Sequence, residues 1–269
     1  MSERGDIFDR AFRHRRTVRV FDEDRDLLAE VPADERPHAR SQAAVPLLEL
    51  QCGDWDASAD DPDGHRACLG LLVLDGLLLH SVTVGREPRS ELVGAGDVIR
   101  PWEYDDDAAS VPFESTWEVV HPGRIAVLDS SFGALVCRWP QLMPALIGRA
   151  TRRSRWLALQ LAVAELRRVD DRLMLFFWHM ADRWGRVRLD GVLVPLPVTH
   201  DVLAQLIGVQ RPTVTSAIRR LSDAGLIRRQ PDKTWLLRPG PPPSLLRCRT
   251  NGASTAADAA AHSPGPDPS

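Results

Sequence analysis

The stretch from Val198 to Leu237, VTHDVLAQLIGVQRPTVTSAIRRLSDAGLIRRQPDKTWLL, constrains the fold of this chain more than any other. Its apolar residues twice follow helical spacing, each run is closed by a glycine, and two short apolar segments follow. Thr199 reads as the N-cap of a first helix running through Leu203 and Leu206 to Ile207, where Gly208 supplies the left-handed backbone of a tight turn. Ala204 is small enough to let a second helix cross closely, and Val209 and Val214 are placed to pin the two together. The second helix starts around Arg211-Pro212, with proline in the first turn where its missing N–H costs nothing, and continues through Thr213, Val214, Ala217, Ile218 and Leu221 to Gly225. Leu226–Arg229 and Thr234–Leu237 read as two strands around a Pro231-Asp232-Lys233 turn, which makes the whole a winged helix-turn-helix.

A second helix of this kind enters the DNA major groove with its first turns against base edges. Arg211, Thr215 and Ser216 are therefore the expected base-reading side chains. Thr199, Thr213, Arg219, Arg220, Arg228, Arg229 and Lys233 are the expected phosphate contacts. The competing reading is a small packed domain whose arginines merely form a solvated face. Charge distribution favours the first: residues 183–249 carry twelve Lys/Arg against four Asp/Glu, a local +8 in a chain of net charge −3. Lys233 is the sole lysine, so the arginine-rich composition reflects coding bias as well as function and lowers the weight of any single arginine.

At 269 residues the chain is long enough for two domains with proper cores. Residues 1–44 read as an N-terminal segment, partly helical or mobile, with a basic cluster Arg13-His14-Arg15-Arg16 and helical spacing at Leu27, Leu28 and Val31 broken by Pro32 and Pro37. Residues 45–139 read as a small antiparallel barrel or jelly roll built of short strands: Leu47–Leu50, two apolar runs flanking an Asp75-Gly76 hairpin signal, Ser90–Val93, Asp97–Ile99, Thr116–Val120 and Arg124–Leu128. Residues 140–184 switch to the helical period. A long helix opened by Pro140 carries the stripe Leu146, Ala150, Leu157, Leu161 and Ala164, expected to be a dimer seam, and a second helix over Arg172–Trp184 is capped by Asp170-Asp171. Residues 185–240 hold the winged helix-turn-helix behind a turn and linker, and 241–269 read as a disordered tail. The fold class is α+β.

Cys52, Cys68, Cys137 and Cys248 are scattered and read as plain thiols, and His65, His80, His121 and His179 lack metal-ligand spacing. With neither a nucleophile elbow nor a phosphate-binding loop, no enzymatic role, metal or cofactor is expected; a metal enzyme of jelly-roll type with an appended winged helix is the alternative of another class. No apolar run approaches a membrane span and no signal peptide opens the chain, so a cytoplasmic protein without a membrane partner is expected.

The order of β-roll, long helix, shorter helix and winged helix-turn-helix resembles the Crp/Fnr family of bacterial transcription regulators over about Val45 to Leu237, most specifically in LAQLIGVQRPTVTSAIRRL, and further in Gly96-Asp97-Val98-Ile99 and WHMADRWG. The resemblance implies a cyclic-nucleotide-binding-like sensor and a homodimer on a pseudo-palindromic double-stranded DNA operator, with RNA polymerase as a further partner. It implies a hinge near Val169, guanine reading by Arg211 and phosphate contact by Thr213. Pro212 and Ser216 stand where the cyclic-AMP-responsive members carry Glu and Arg, so the familiar operator is not implied. In the sensor the family's Gly-Glu pair falls on Arg100-Pro101, and its Arg-Ser-Ala cassette falls near Pro112-Phe113-Glu114, behind the acidic insert Glu103–Asp107. A sensor that does not respond to a cyclic nucleotide is therefore expected, with Arg100, Trp102 and Trp117 as the candidate lining of an effector pocket for an unknown effector; the alternative is a cyclic-nucleotide-responsive regulator with a degenerate cassette.

Overall fold

The structure, a computed structural model, describes residues 16–56, 69–85, 87–104 and 111–238. Arg13–Arg15, the acidic loop beyond Asp56, Asp105–Asp107 and the tail after Arg238 lie outside the described residues. Two compact groupings emerge: Met1–Ala162 with Asp201–Gly208, and Val163–His200 with Val209–Ser269.

In the N-terminal unit, strand β1 (Thr17–Arg19) leads into short helices α1 (Val20–Glu23), α2 (Arg25–Ala29) and α3 (Arg36–Gln42). The Asp24 carboxylate accepts the Leu27 N–H at 3.0 Å and so caps α2, and Pro37 sits in the first turn of α3, where it opens the helix instead of breaking it. The antiparallel sheet follows: β2 (Ala44–Leu50), β3 (Gly53–Asp54), β4 (Gly70–Val84), β5 (Glu87–Gly94), β6 (Val98–Ile99) and β7 (Glu114–Leu128). The strand order is β1-β2-β7-β4-β5, with β3 on β7 and β6 on β4.

The hairpin expected at Asp75-Gly76 does not form. Both apolar runs belong to the single strand β4, which passes straight through these two residues, and the two segments expected on either side of Pro122-Gly123 are likewise one strand, β7. What the Asp-Gly pair makes is an irregularity in the β4–β7 ladder, with register shifts from Val73 to Leu78. Gly76 adopts φ +90°, and a Cβ there would lie 2.5 Å from the Gly123 Cα, so the two glycines permit a close backbone crossing. The Asp75 carboxylate accepts the Arg124 N–H and Nε at 2.9 and 2.7 Å.

Residues alternate across the sheet on either side of that irregularity, which shifts the phase within β4. Leu71, Val73, Ile125 and Val127 enter one apolar cluster with Leu78, Trp102, Trp117 and Val119, while Leu72, Ala126 and Leu128 enter another with Val20, Phe21, Leu27 and Phe132 from the helices. Helix α4 (Ser130–Arg138) is capped by Asp129, whose carboxylate accepts the Ser131 and Phe132 N–H groups at 3.0 and 3.2 Å.

The long helix α5 (Leu142–Ala164) holds to this unit through two arginines one turn apart. Arg149, 6 % exposed, donates to the Gly96 carbonyl at 2.9 Å and to Asp24 at 2.8 Å. Arg153 grips Glu91, itself 5 % exposed, through Nε at 3.0 Å and through a second, closer contact. Glu91 also meets His80 Nδ1 at 2.8 Å, and His80 Nε2 reaches Ser115 Oγ at 3.0 Å while its ring stacks on Trp117 at 4.2 Å. Leu146, expected on the exposed stripe, is 7 % exposed and belongs to the apolar cluster of its own chain, because it lies on the same inner face as Arg149.

In the C-terminal unit, helix α6 (Val169–Trp184) begins a turn earlier than expected, so Asp170 and Asp171 sit in its first turn, where they favour the positive end of the helix without capping it. The segment expected as turn and linker forms a hairpin, β8 (Arg186–Arg188) and β9 (Gly191–Val194), about Leu189-Asp190. It joins β10 (Ile227–Arg229) and β11 (Trp235–Leu237) in a sheet of order β10-β11-β9-β8. Trp235 fills the core, 4.9 Å from Phe177 by ring centroid, and its indole N–H donates to the Leu196 carbonyl at 3.2 Å. Helix α8 (Arg211–Asp223) belongs to this unit, whereas nearly all of helix α7 (His200–Ile207) falls in the residues grouped with the N-terminal one.

Burial works to raise the Glu91 carboxyl, but hydrogen bonds and charge from His80 and Arg153 outweigh it and hold it down at about 2, against an ordinary 4.5. A depressed folded value means stability that is present above pH 4.5 and lost as pH falls towards 2. Glu91→Gln should lower stability at neutral pH by on the order of 3 kcal/mol, by removing the buried charge that His80 and the half-buried Arg153 share, and should flatten that acid limb. Urea denaturation between pH 7 and pH 2.5 checks both.

Candidate nucleic-acid interface

Helix α8 is amphipathic by construction. Val214, Ala217, Ile218 and Leu221, spaced i, i+3, i+4, i+7, are buried, and the helix packs against α6. Arg211, Pro212, Thr213, Thr215, Ser216, Arg219 and Arg220 are exposed on the remaining surface. Gln210, in extended backbone, precedes the first turn, and Pro212 occupies it, as expected. Gly225 ends the helix at φ +66°, with the Leu226 N–H returning to the Leu221 carbonyl at 2.9 Å. Arg211, Thr215 and Arg219 form one i, i+4 row; Pro212, Ser216 and Arg220 form the next.

The wing also forms where expected. Ile227 pairs with Leu237, Arg228 with Leu236 and Arg229 with Trp235. Its tip is shaped by Asp232, whose carboxylate accepts the Thr234 hydroxyl at 2.6 Å and the Thr234 N–H at 3.0 Å, bonds that hold this carboxyl below its ordinary range. That turn places Lys233 at φ +65°, exposed at the end of the hairpin. Arg228 and Arg229 are exposed beside it, Arg228 3.9 Å from Asp190 and Arg229 over the Trp235 ring at 5.5 Å. Thr199 is exposed immediately before α7.

Two contacts were not legible in the pattern. Arg220, expected to meet phosphate, is held fork to fork by Asp170, at 3.1 and 2.6 Å, and these bonds raise its pKa. The first turn of α6 is thereby tied to the last turn of α8, and Arg220 reaches a phosphate only by leaving Asp170. His200 Nδ1 lies 2.9 Å from the Thr215 hydroxyl. The sole hint of the second contact was a histidine beside a capping threonine.

The candidate effector lining comes out differently from a pocket wall. Trp102 and Trp117 are buried in one apolar cluster, Trp117 edge-on to Trp55 at 5.9 Å and stacked on His80. Arg100 is half-buried with its guanidinium 5.8 Å from the Trp102 ring. Their large rings fill the interior of the sheet. Among the described residues no group of three or more His, Cys, Asp and Glu converges on a metal-sized site, and no helix is long and apolar enough to cross a membrane.

Residues 171–239 match the family model described as a Crp-like helix-turn-helix domain. No curated protein matches the chain. Among solved structures, the chain is similar to a CooA variant from Carboxydothermus hydrogenoformans, at 15 % identity and TM-score 0.53 over 82 % of this chain and 90 % of that one. It is also similar to a cyclic nucleotide-binding domain containing protein from Listeria monocytogenes EGD-e, at 11 % identity and TM-score 0.55 over 78 % and 93 %. A third similar structure is that of CprK complexed with OCPA, at 10 % identity and TM-score 0.50 over 82 % and 90 %. The fold, a β-rich domain ahead of a Crp-like helix-turn-helix, is thus shared with these solved structures.

Leu221 is buried and Ser222 next to it is exposed. Leu221→Ala should therefore destabilise the C-terminal unit by roughly 2–4 kcal/mol, and Ser222→Ala by less than about 0.5 kcal/mol, in a denaturant titration followed by tryptophan fluorescence.

Proposed function

We propose that this chain is a DNA-binding regulator of Crp/Fnr type that acts as a homodimer on a pseudo-palindromic operator, with Arg211, Thr215 and Ser216 reading base edges and Thr199, Thr213, Arg219, Arg228, Arg229 and Lys233 meeting phosphates. The observation that carries the reading is the exposed polar row of α8 laid over a fully buried apolar one. An exposed arginine fork at the entrance of such a helix suits the two acceptors of guanine, whereas charges on the wing suit the backbone.

Self-pairing has its own support. On the outer face of α5, Met143, Ile147, Ala150, Ser154, Leu157, Leu161 and Ala164 recur at alternating intervals of four and three and are all exposed, Ile147 by 56 % and Leu161 by 75 %. An average spacing of 3.5 residues is that of a two-stranded coiled coil. The seam thus runs through Ala150, Leu157, Leu161 and Ala164 with Ile147 in place of Leu146. A two-fold pair presents α8 twice, and successive major grooves on one DNA face lie roughly 34 Å apart.

The sensor domain responds to something other than a cyclic nucleotide. Supporting this are Pro101 in place of the family's carboxylate, and the packing of Trp102 and Trp117 into the apolar interior. A protein that acts on chromosomal operators has its site of action in the cytoplasm, and RNA polymerase is the further partner this reading expects.

Sedimentation of the full chain should give a dimer, and Leu157→Glu with Leu161→Glu should give a folded monomer. A wild-type monomer at DNA-binding concentrations contradicts the seam. For duplexes selected by the protein from a randomised pool, Arg211→Ala should cost about 1–3 kcal/mol of binding to the selected sequence and little on random sequence, while Lys233→Ala weakens both alike and lowers the salt slope by about 1. Equal loss on both kinds of duplex in the Arg211 variant contradicts base reading.

A further inference from the structure

We propose that His200 is a positioning residue for base recognition: its ring decides whether Thr215 offers a donor or an acceptor to the base it faces. The inference rests on the reading of α8 given above and deepens it. Thr215 stands between Arg211 and Arg219 in the exposed row of α8, and its hydroxyl is 2.9 Å from His200 Nδ1. Threonine in a helix divides between two side-chain rotamers, and a fixed partner for its oxygen selects one of them.

A hydroxyl has one proton and two lone-pair directions, so the bond to His200 sets what is left for DNA. When Nδ1 carries no proton, Thr215 donates to it and keeps only lone pairs, which suit the amino groups of cytosine or adenine. When Nδ1 is protonated, Thr215 accepts from it, and its own O–H is free for guanine O6 or N7, thymine O4 or adenine N7. Neutral imidazole samples both tautomers; imidazolium allows the second alone. Base preference at this one position therefore shifts towards guanine and thymine as His200 gains a proton. The charged groups flanking the pair are Asp201, next in the chain, and Arg211 and Arg219, one turn to either side of Thr215.

The test takes a duplex selected by the wild-type protein from a randomised pool and measures binding of its single-base-pair variants across one half-site at pH 5.5 and pH 8. At one position, the ratio of affinities for guanine- or thymine-bearing over cytosine-bearing duplexes should rise roughly three- to tenfold at the lower pH. Thr215→Val should flatten the preference there, and His200→Phe should abolish its pH dependence while Arg211-dependent selectivity elsewhere persists. If lower pH tightens all variants equally, His200 is only a charge near phosphate and the inference is overturned. It is equally overturned if the ratio shift survives in both variants. A pool that yields no selected sequence defeats the reading of α8 itself, whereas a selected, Arg211-dependent sequence with a flat pH response defeats this inference alone.

Discussion

A long helix has only two faces to dispose of, and in α5 the choice between them is made by buried charge. Arg149 and Arg153 lie within the unit and find carboxylates there, Asp24 and Glu91. Taking an arginine out of water is unfavourable unless its hydrogen bonds are met, so the rotation of α5 about its axis is set by where those carboxylates stand. Once that face is inward, Ile147, Leu157 and Leu161 are left exposed on the other. The unpartnered heptad row is thus a consequence of the buried ion pairs.

The same division of labour organises α8. Its inner row is purely apolar and holds the helix to α6, so every polar side chain it carries is released to the surface. Asp170 adds a directional tie through Arg220 at one end, and His200 adds another through Thr215 nearer the start. Apolar packing fixes where the helix lies. These two polar ties act on individual side chains, and a side chain whose orientation is set before DNA arrives loses less freedom on binding.

Much of this was legible in the residues because local signals agreed with one another. Gly208 and Gly225 after two helical runs and Pro212 inside a first turn each have one conformational use, and the chain uses them so. Asp75-Gly76 misled because the dipeptide satisfies two geometries: a two-residue turn and a kink in a continuing strand. The decision lay with Gly123, distant in sequence, whose lack of a side chain lets the backbones cross. Asp190-Gly191 is the converse, a real hairpin hidden by the prolines that follow it. Leu146 was misplaced because a stripe of spacing three and four can be drawn through either it or Ile147, and only the buried Arg149 distinguishes them. Pairings such as Arg153 with Glu91, or Arg220 with Asp170, join residues far apart in the chain and leave no periodic trace.

The central claim is that two copies of α8 read one duplex at a spacing fixed by self-pairing. It is tested most directly by inserting five base pairs between the half-sites of a selected duplex, which turns one half-site to the opposite face of the helix. The account predicts a loss of affinity on the order of a hundredfold, recovered in part when the insertion is a full helical turn. Equal affinity for all three spacings would contradict it.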